Sequence, residues 1–142
     1  MGIFNSTVTV ADLNALSANT IAQQLGIVFT LIGDDRLEAT MPVDHRTHQP
    51  MGMLHGGASV TLAETLGSVA AMLCIDTSKQ YCVGLEINAN HVKGVTKGLV
   101  RGVTTSIHIG KKTQVWDIRI YTESNELVCI SRITMAVIDK KV

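Results

Sequence analysis

Apolar and polar residues change their period twice along this chain. Leu13 and Leu16, three apart within Val10–Ser17, mark one face of a short amphipathic helix. Thr20–Leu25 continues it until Gly26 breaks it. The period then falls to two. Ile27–Ile32 and Arg36–Val43 predict two strands joined at Gly33-Asp34-Asp35, a hairpin-type turn. In the second, Leu37, Ala39 and Met41 alternate with Glu38 and Thr40. An irregular lead-in, Asp44–Leu54, holds Pro50, with Pro42 just before it. A long helix is predicted from near Gly56 to near Asp76, with Ala58, Leu62, Leu66, Val69 and Leu73 on one side. Gly57, Thr61, Glu64 and Ser68 form a second stripe that is small and polar. Gly67 inside that helix costs about 1 kcal/mol against Ala, which predicts close packing there.

Beyond the helix the period is two again. Cys82–Lys93, Leu99–Ile109, Gln114–Thr122 and Leu127–Ile138 read as long strands. Gly94–Gly98, Gly110–Lys112 and Glu123–Glu126 are turn-like, and such short connections predict antiparallel neighbours. The sum is an α+β chain: two strands, one long helix, four more strands. One helix covers one face of a curled sheet. The other face and the edges therefore predict oligomerisation.

Composition narrows the class. A chain of 142 residues fits one domain over 1–142, and 46% hydrophobic residues supply a real core. Lys+Arg and Asp+Glu balance at 12 each, so no overall field recruits nucleic acid or an anionic membrane. Cys74, Cys82 and Cys129 form no C-x-x-C pair, and the odd count predicts reduced thiols in a cytoplasmic protein. Met1–Ser6 lacks a signal-peptide pattern, and matches the short myristoylation pattern at the level of chance. Met51–Ile75 is apolar, but His55, Glu64 and several serines, threonines and glycines interrupt it, so we read a buried helix and no membrane span.

Glu64 is the only Asp, Glu, Lys or Arg between Arg46 and Asp76. Burying a lone carboxylate is costly unless it is paired, hydrogen-bonded or used. Two readings stand side by side: a structural ion pair with Arg101 or Lys93, or catalysis. The helix start, His55-Gly56-Gly57, presents backbone N–H groups without intrahelical partners, and an N–H near Gly56 suits a polarised carbonyl oxygen. His55 also reads as a helix cap, and Ser68 as a small packing residue. Glu64 lies eight residues on, about 12 Å along the axis, too far to share one carbonyl with its own helix start. Either Glu64 works elsewhere, or it faces the helix start of a second copy related by a two-fold axis. His45-Arg-Thr-His48 has no third ligand at a metal-site spacing, so both histidines read as exposed loop residues and no metal is expected. No nucleophile elbow or P-loop occurs, and each cysteine reads as a small core residue.

Leu54-His-Gly-Gly-Ala-Ser-Val-Thr-Leu-Ala-Glu-Thr-Leu-Gly-Ser68 and Val83-Gly-Leu-Glu-Ile-Asn-Ala-Asn-His-Val92 closely resemble the hotdog-fold acyl-CoA thioesterases. Glu38–Asp44, Gln49-Pro50, Gln114-Val-Trp116 and Ser131-Arg-Ile-Thr134 add to the resemblance, which runs from about Val8 to Ile138. Within the family the likeness is to the bacterial 1,4-dihydroxy-2-naphthoyl-CoA hydrolases of menaquinone synthesis and the proofreading thioesterases of enterobactin synthesis.

The resemblance implies a hotdog fold: a long central helix wrapped by a curved antiparallel sheet of about six strands. It also implies dimers with shared active sites that join into a tetramer, no cofactor beyond the CoA of the substrate, and no metal. Glu64 would be nucleophile or general base. Gly56 N–H of the facing subunit would polarise the thioester, Gln49 and His55 would assist, and Ser68 would place the water or the carboxylate. Thr61, Thr65 or Ser68 would hold the carboxylate ionised. CoA would lie along Gly84, His91, Val92, Lys93 and Gly94, and along His108, Ile109, Gly110, Lys111, Lys112 and Thr113. Val69 would border the acyl pocket. Aromatic acyl-CoA is the expected substrate. Aroyl carrier-protein thioesters, or binding without catalysis as an acyl-CoA sensor, are the alternatives.

Overall fold

The computed structural model describes residues 2–5 and 7–141. Met1 and Ser6, on which the acylation pattern depends, lie outside the described residues. The elements in chain order are α1 (Val10–Leu16), α2 (Ile21–Gln24), β1 (Val28–Ile32), β2 (Arg36–Pro42) and α3 (Gly56–Leu73). Then come β3 (Gln80–His91), β4 (Leu99–Ile109), β5 (Thr113–Thr122) and β6 (Leu127–Asp139). All six strands form one antiparallel sheet in the order β1-β2-β4-β5-β6-β3.

The sheet's inner face is written in the strand alternation. Leu37, Ala39 and Met41 of β2, Trp116, Ile118 and Ile120 of β5, and Ile133 and Met135 of β6 are buried. They close on Leu62, Ala63, Leu66, Ala70 and Leu73 of α3. Each fully buried side chain of this size contributes about 1.5–3 kcal/mol. Two glycines set how closely helix and sheet approach. A Cβ on Gly67 would collide with Ile133, and one on Gly102 with Leu66, which is the close packing that Gly67 predicted. Trp116 donates its indole N–H to Gln114 Oε1 at 3.0 Å, so the buried ring keeps a partner.

Three expectations change. The helix ends at Leu73, not near Asp76; Cys74 caps it, and the Asp76 carboxylate instead accepts the Ser78 N–H and hydroxyl in the next turn. β3 and β4 are not neighbours despite their short link, because residues 92–98 cross beneath the start of α3, where Leu54 N–H donates to Val95 O at 2.8 Å. β3 pairs with β6 and forms one edge of the sheet. Val69 is half-buried and leaves the apolar stripe, because at the 100° step of a helix it falls nearer Thr65, on the chamber side, than Leu66. Among the described residues no helix is long and apolar enough to cross a membrane.

Candidate active site

The start of α3 sits in a cleft of about 330 Å³ lined by Gln49, Met53, Gly56, Ser59, His91 and Lys93, among others. His55 is the N-cap. Its Nδ1 accepts the Gly57 N–H at 2.8 Å, which places the ring proton on Nε2. The cap leaves the Gly56 N–H without an acceptor among the described residues, at the positive end of the longest helix. Gly56 also lies against His91: an added Cβ would stand 2.8 Å from His91 Nε2. Gln49 accepts the Met51 N–H on its carboxamide oxygen, so its two amide protons are left to the cleft. The arrangement suits a developing negative charge on oxygen.

Glu64 belongs to a different cavity. It stands on the wall of a chamber of about 540 Å³ formed by α3, α1, α2 and β1, with Thr61, Thr65, Ser68 and Val69 beside it. The carboxylate is exposed in the single chain, contrary to the expectation of a buried charge. The apolar residues around it in sequence face the sheet, while its own stripe faces out. Neither structural partner reaches it: Arg101 pairs with Glu38 at 3.1 Å and Lys93 with Glu126 at 3.2 Å. The hydroxyls are committed elsewhere too. Thr61 donates to Gly57 O at 2.9 Å, Thr65 to Thr61 O at 2.7 Å, and Ser68 points at Met135 Sδ at 3.9 Å. Among the described residues the carboxylate has no hydrogen-bond or ion-pair partner, so the ion-pair reading is lost. Gly84 of β3 packs against it, since an added Cβ there would lie 3.1 Å from Glu64 Oε1.

The residues expected to hold CoA fall at opposite ends of the sheet. His91–Gly94 follow β3 beside Cys129, at the Gly56 end. His108–Thr113 join β4 to β5 at the other end, where His108 pairs with Val115 and Thr113 with Ala136. Gly84 pairs with Met135 on that same end and lies with Glu64 rather than with His91. Lys112 pairs with Asp139 at 3.2 Å; the hydrogen bond from Gln80, and then Lys112, hold that carboxyl below its usual range.

His48 is half-buried, its Nε2 bonded to Thr96 O at 3.0 Å, so only His45 is the exposed loop histidine expected of both. Among the described residues no cluster of three metal-ligating side chains occurs. Burial, and secondarily Cys82, push the Cys74 thiol up to about 11, and burial raises Cys82 and Cys129 as well. These thiols are protonated and poorly nucleophilic at neutral pH.

One chain thus brings Gly56, Gln49, His91 and Lys93 together, and separately Glu64, Ser68, Val69 and Gly84. It does not bring the two groups together. Leu13, Leu16, Ile21 and Phe29, which wall the Glu64 chamber, were missed in the sequence. The one signal was the Leu13–Leu16 spacing, of which only Leu13 is buried.

The thioesterase superfamily model matches residues 51–129, from the lead-in of α3 into β6. The chain is 52% identical over 136 residues to the 1,4-dihydroxy-2-naphthoyl-CoA hydrolase of Escherichia coli, covering 96% of this chain and 99% of that protein. It is 51% identical over 136 residues to the proofreading thioesterase EntH of Cronobacter sakazakii, covering 96% and 98%. Among solved structures, a mutant thioesterase from Pseudomonas aeruginosa superposes with a TM-score of 0.96 at 51% identity, over 98% of this chain and 100% of that one.

Proposed function

The chain belongs to the thioesterase superfamily and has its hotdog fold, and from that premise we propose that it hydrolyses aromatic acyl-CoA thioesters such as 1,4-dihydroxy-2-naphthoyl-CoA. The observation that carries the reading is the division of the site: an unpaired carboxylate, Glu64, in one cavity, and an unpaired donor, Gly56 N–H, in another. Eight helical residues separate them by about 12 Å, so a second copy must complete each site. The edge strand β3 offers the contact. Tyr81, Val83 and Leu85 are exposed along it, and an unpaired apolar edge favours pairing with another chain. Two copies joined antiparallel through β3 would set the Glu64 end of one beside the Gly56 end of the other. The same operation would unite His108–Thr113 with the partner's His91, Val92, Lys93 and Gly94 as one CoA surface. A pair of such dimers as a tetramer follows the resemblance.

In this reading the thioester oxygen accepts from Gly56 N–H and from the Gln49 amide. Glu64 either adds to the carbonyl carbon or removes a proton from the water that does so. The tetrahedral centre collapses, the C–S bond breaks, and CoA leaves as thiolate; where Glu64 has added, water then cleaves the mixed anhydride, releasing the acid and restoring the Glu64 carboxylate. A thiolate is a good leaving group, so no strong general acid is needed. His55 acts by ordering the helix start, and Ser68 by lying one turn from Glu64. His91, against Gly56, supports the donor end. No cofactor is needed beyond the substrate's own CoA. Three free thiols fit a reducing, cytoplasmic setting.

Thiol release from aroyl- and fatty acyl-CoAs tests this. Removing a catalytic base typically costs 10²–10⁴-fold, so Glu64→Gln and Glu64→Ala should lose activity on the order of 10³-fold. Unchanged rates in both variants would sink the role of Glu64. The likeness to EntH supports a second reading, in which carrier-protein thioesters are preferred; comparing both thioester forms of one aroyl group decides it.

A further inference from the structure

The chamber beside Glu64 reaches well past the carboxylate. Leu13, Leu16, Ile21 and Phe29 face Val69 and Met72 across about 540 Å³, within the roughly 300–1,000 Å³ typical of small-molecule sites. Among the described residues Glu64 is the one charged residue on its wall. Its other polar residues are hydroxyls, and all but one spend their protons on the backbone; the exception is Ser68, whose hydroxyl makes only a 3.9 Å contact to Met135 Sδ. Ser17 donates to Leu13 O at 3.1 Å and Thr20 to Ser17 O at 2.6 Å. Thr61 and Thr65 donate to Gly57 O and Thr61 O. A hydroxyl has one proton and two lone pairs, so Ser17, Thr20, Thr61 and Thr65 can still accept but not donate. The chamber therefore offers apolar surface, lone pairs and one negative charge, with no cation.

Resting on the thioesterase reading above, we propose that this chamber holds the acyl group and selects bulky uncharged acyl groups, hydroxylated aromatic ones included, over those that end in a carboxylate. An acyl hydroxyl can donate to Ser17, Thr20, Thr61 or Thr65. A terminal carboxylate finds no cation and, Ser68 apart, no hydroxyl proton to accept. Leu16 and Ile21 are 66% and 61% exposed at the rim, so size selection is set at positions the core does not need.

Hydrolysis of hexanoyl-CoA and adipoyl-CoA, equal in chain length, reads the charge selection. The ratio of kcat/KM should favour hexanoyl by on the order of 100-fold or more, since a carboxylate left unpaired in an apolar chamber loses its hydration. Ile21→Arg should narrow that ratio. Leu16→Trp and Ile21→Trp, which fill the chamber, should lower the ratio of hexanoyl-CoA to acetyl-CoA turnover about tenfold, the scale of steric discrimination in an apolar pocket. Equal rates on hexanoyl- and adipoyl-CoA overturn the proposal, as do tryptophan variants that slow both chain lengths alike. Release of no CoA from any thioester instead overturns the acyl-CoA reading on which it rests.

Discussion

Glu64 stands out in the sequence because its neighbours are apolar, and stands out in the structure because nothing among the described residues pairs with it. Those neighbours turn to the sheet, while Glu64 lies on the opposite stripe against Gly84. Glycines do comparable work one residue at a time. Gly67 lets Ile133 approach the α3 backbone, and Gly102 does the same for Leu66. Gly67→Ala gains about 1 kcal/mol of helix propensity but inserts a methyl where Ile133 already sits. Overpacking of this kind typically costs 1–3 kcal/mol. The expected net change is a loss of about 1 kcal/mol, read from the urea midpoint at constant slope. A more stable variant would mean that helix and sheet separate freely.

At the scale of elements, two features shape the chamber and the interface. A bulge between Gly84 and Glu86 shifts the alternation of β3. Cys82 and Gly84 therefore face α3 before it, and Ile87 and Ala89 after it. Strand-like alternation alone predicts a single inner set. The second feature is α1, which is held to β1 by Asn14: its amide donates to Phe29 O at 3.0 Å and accepts Phe29 N–H at 2.8 Å.

A capping box starts α1, with Asp12 accepting Thr9 Oγ1–H and Thr9 N–H. The bond from the Thr9 hydroxyl, then that from its backbone, holds the Asp12 carboxyl below its ordinary value. A depressed carboxyl stabilises the fold fully above the unfolded pKa, about 3.9, and loses that contribution as pH falls through the lowered value. Hydrogen-exchange protection of α1 amides should thus fall below about pH 4, ahead of α3. Thr9→Ala should show the loss already at neutral pH. Protection in α1 that follows α3 at every pH would show that the box does not govern the helix.

At the scale of the molecule, the proposed division of the site between copies makes a sharp demand. Glu64→Gln keeps its Gly56 end, and Gly56→Val keeps its Glu64. Each alone should be inactive as a homo-oligomer. Unfolded and refolded together, half of the dimers are mixed, and each mixed dimer holds one intact site. About a quarter of wild-type activity should return if pairing is random. No recovery, with mixed species present by mass, would rule out sharing across the interface. Sedimentation of Val83→Lys tests the edge itself: a charge on the outermost strand should shift the protein towards monomer and remove activity with it.

The sequence by itself determined the elements, nearly all of their limits, and the candidates for the two ends of the proposed chemistry. Period-two and helical spacing depend on which side of a backbone must be dry, and that is local. Gly56 and Glu64 stood out because glycines at a helix start and a lone acid in an apolar run are local oddities too, whereas Gln49 entered only through the family resemblance. The tertiary structure decided what depends on residues distant in sequence. It made β3 an edge strand rather than a neighbour of β4, because β6 takes the place beside it. It exposed Glu64, gave Arg101 and Lys93 to other partners, and sent the two lysine-bearing turns to opposite ends of the sheet. It also folded α1 and α2 over Glu64 to wall a chamber. Spacing along one chain records which face of an element is buried, but not which other element lies against that face.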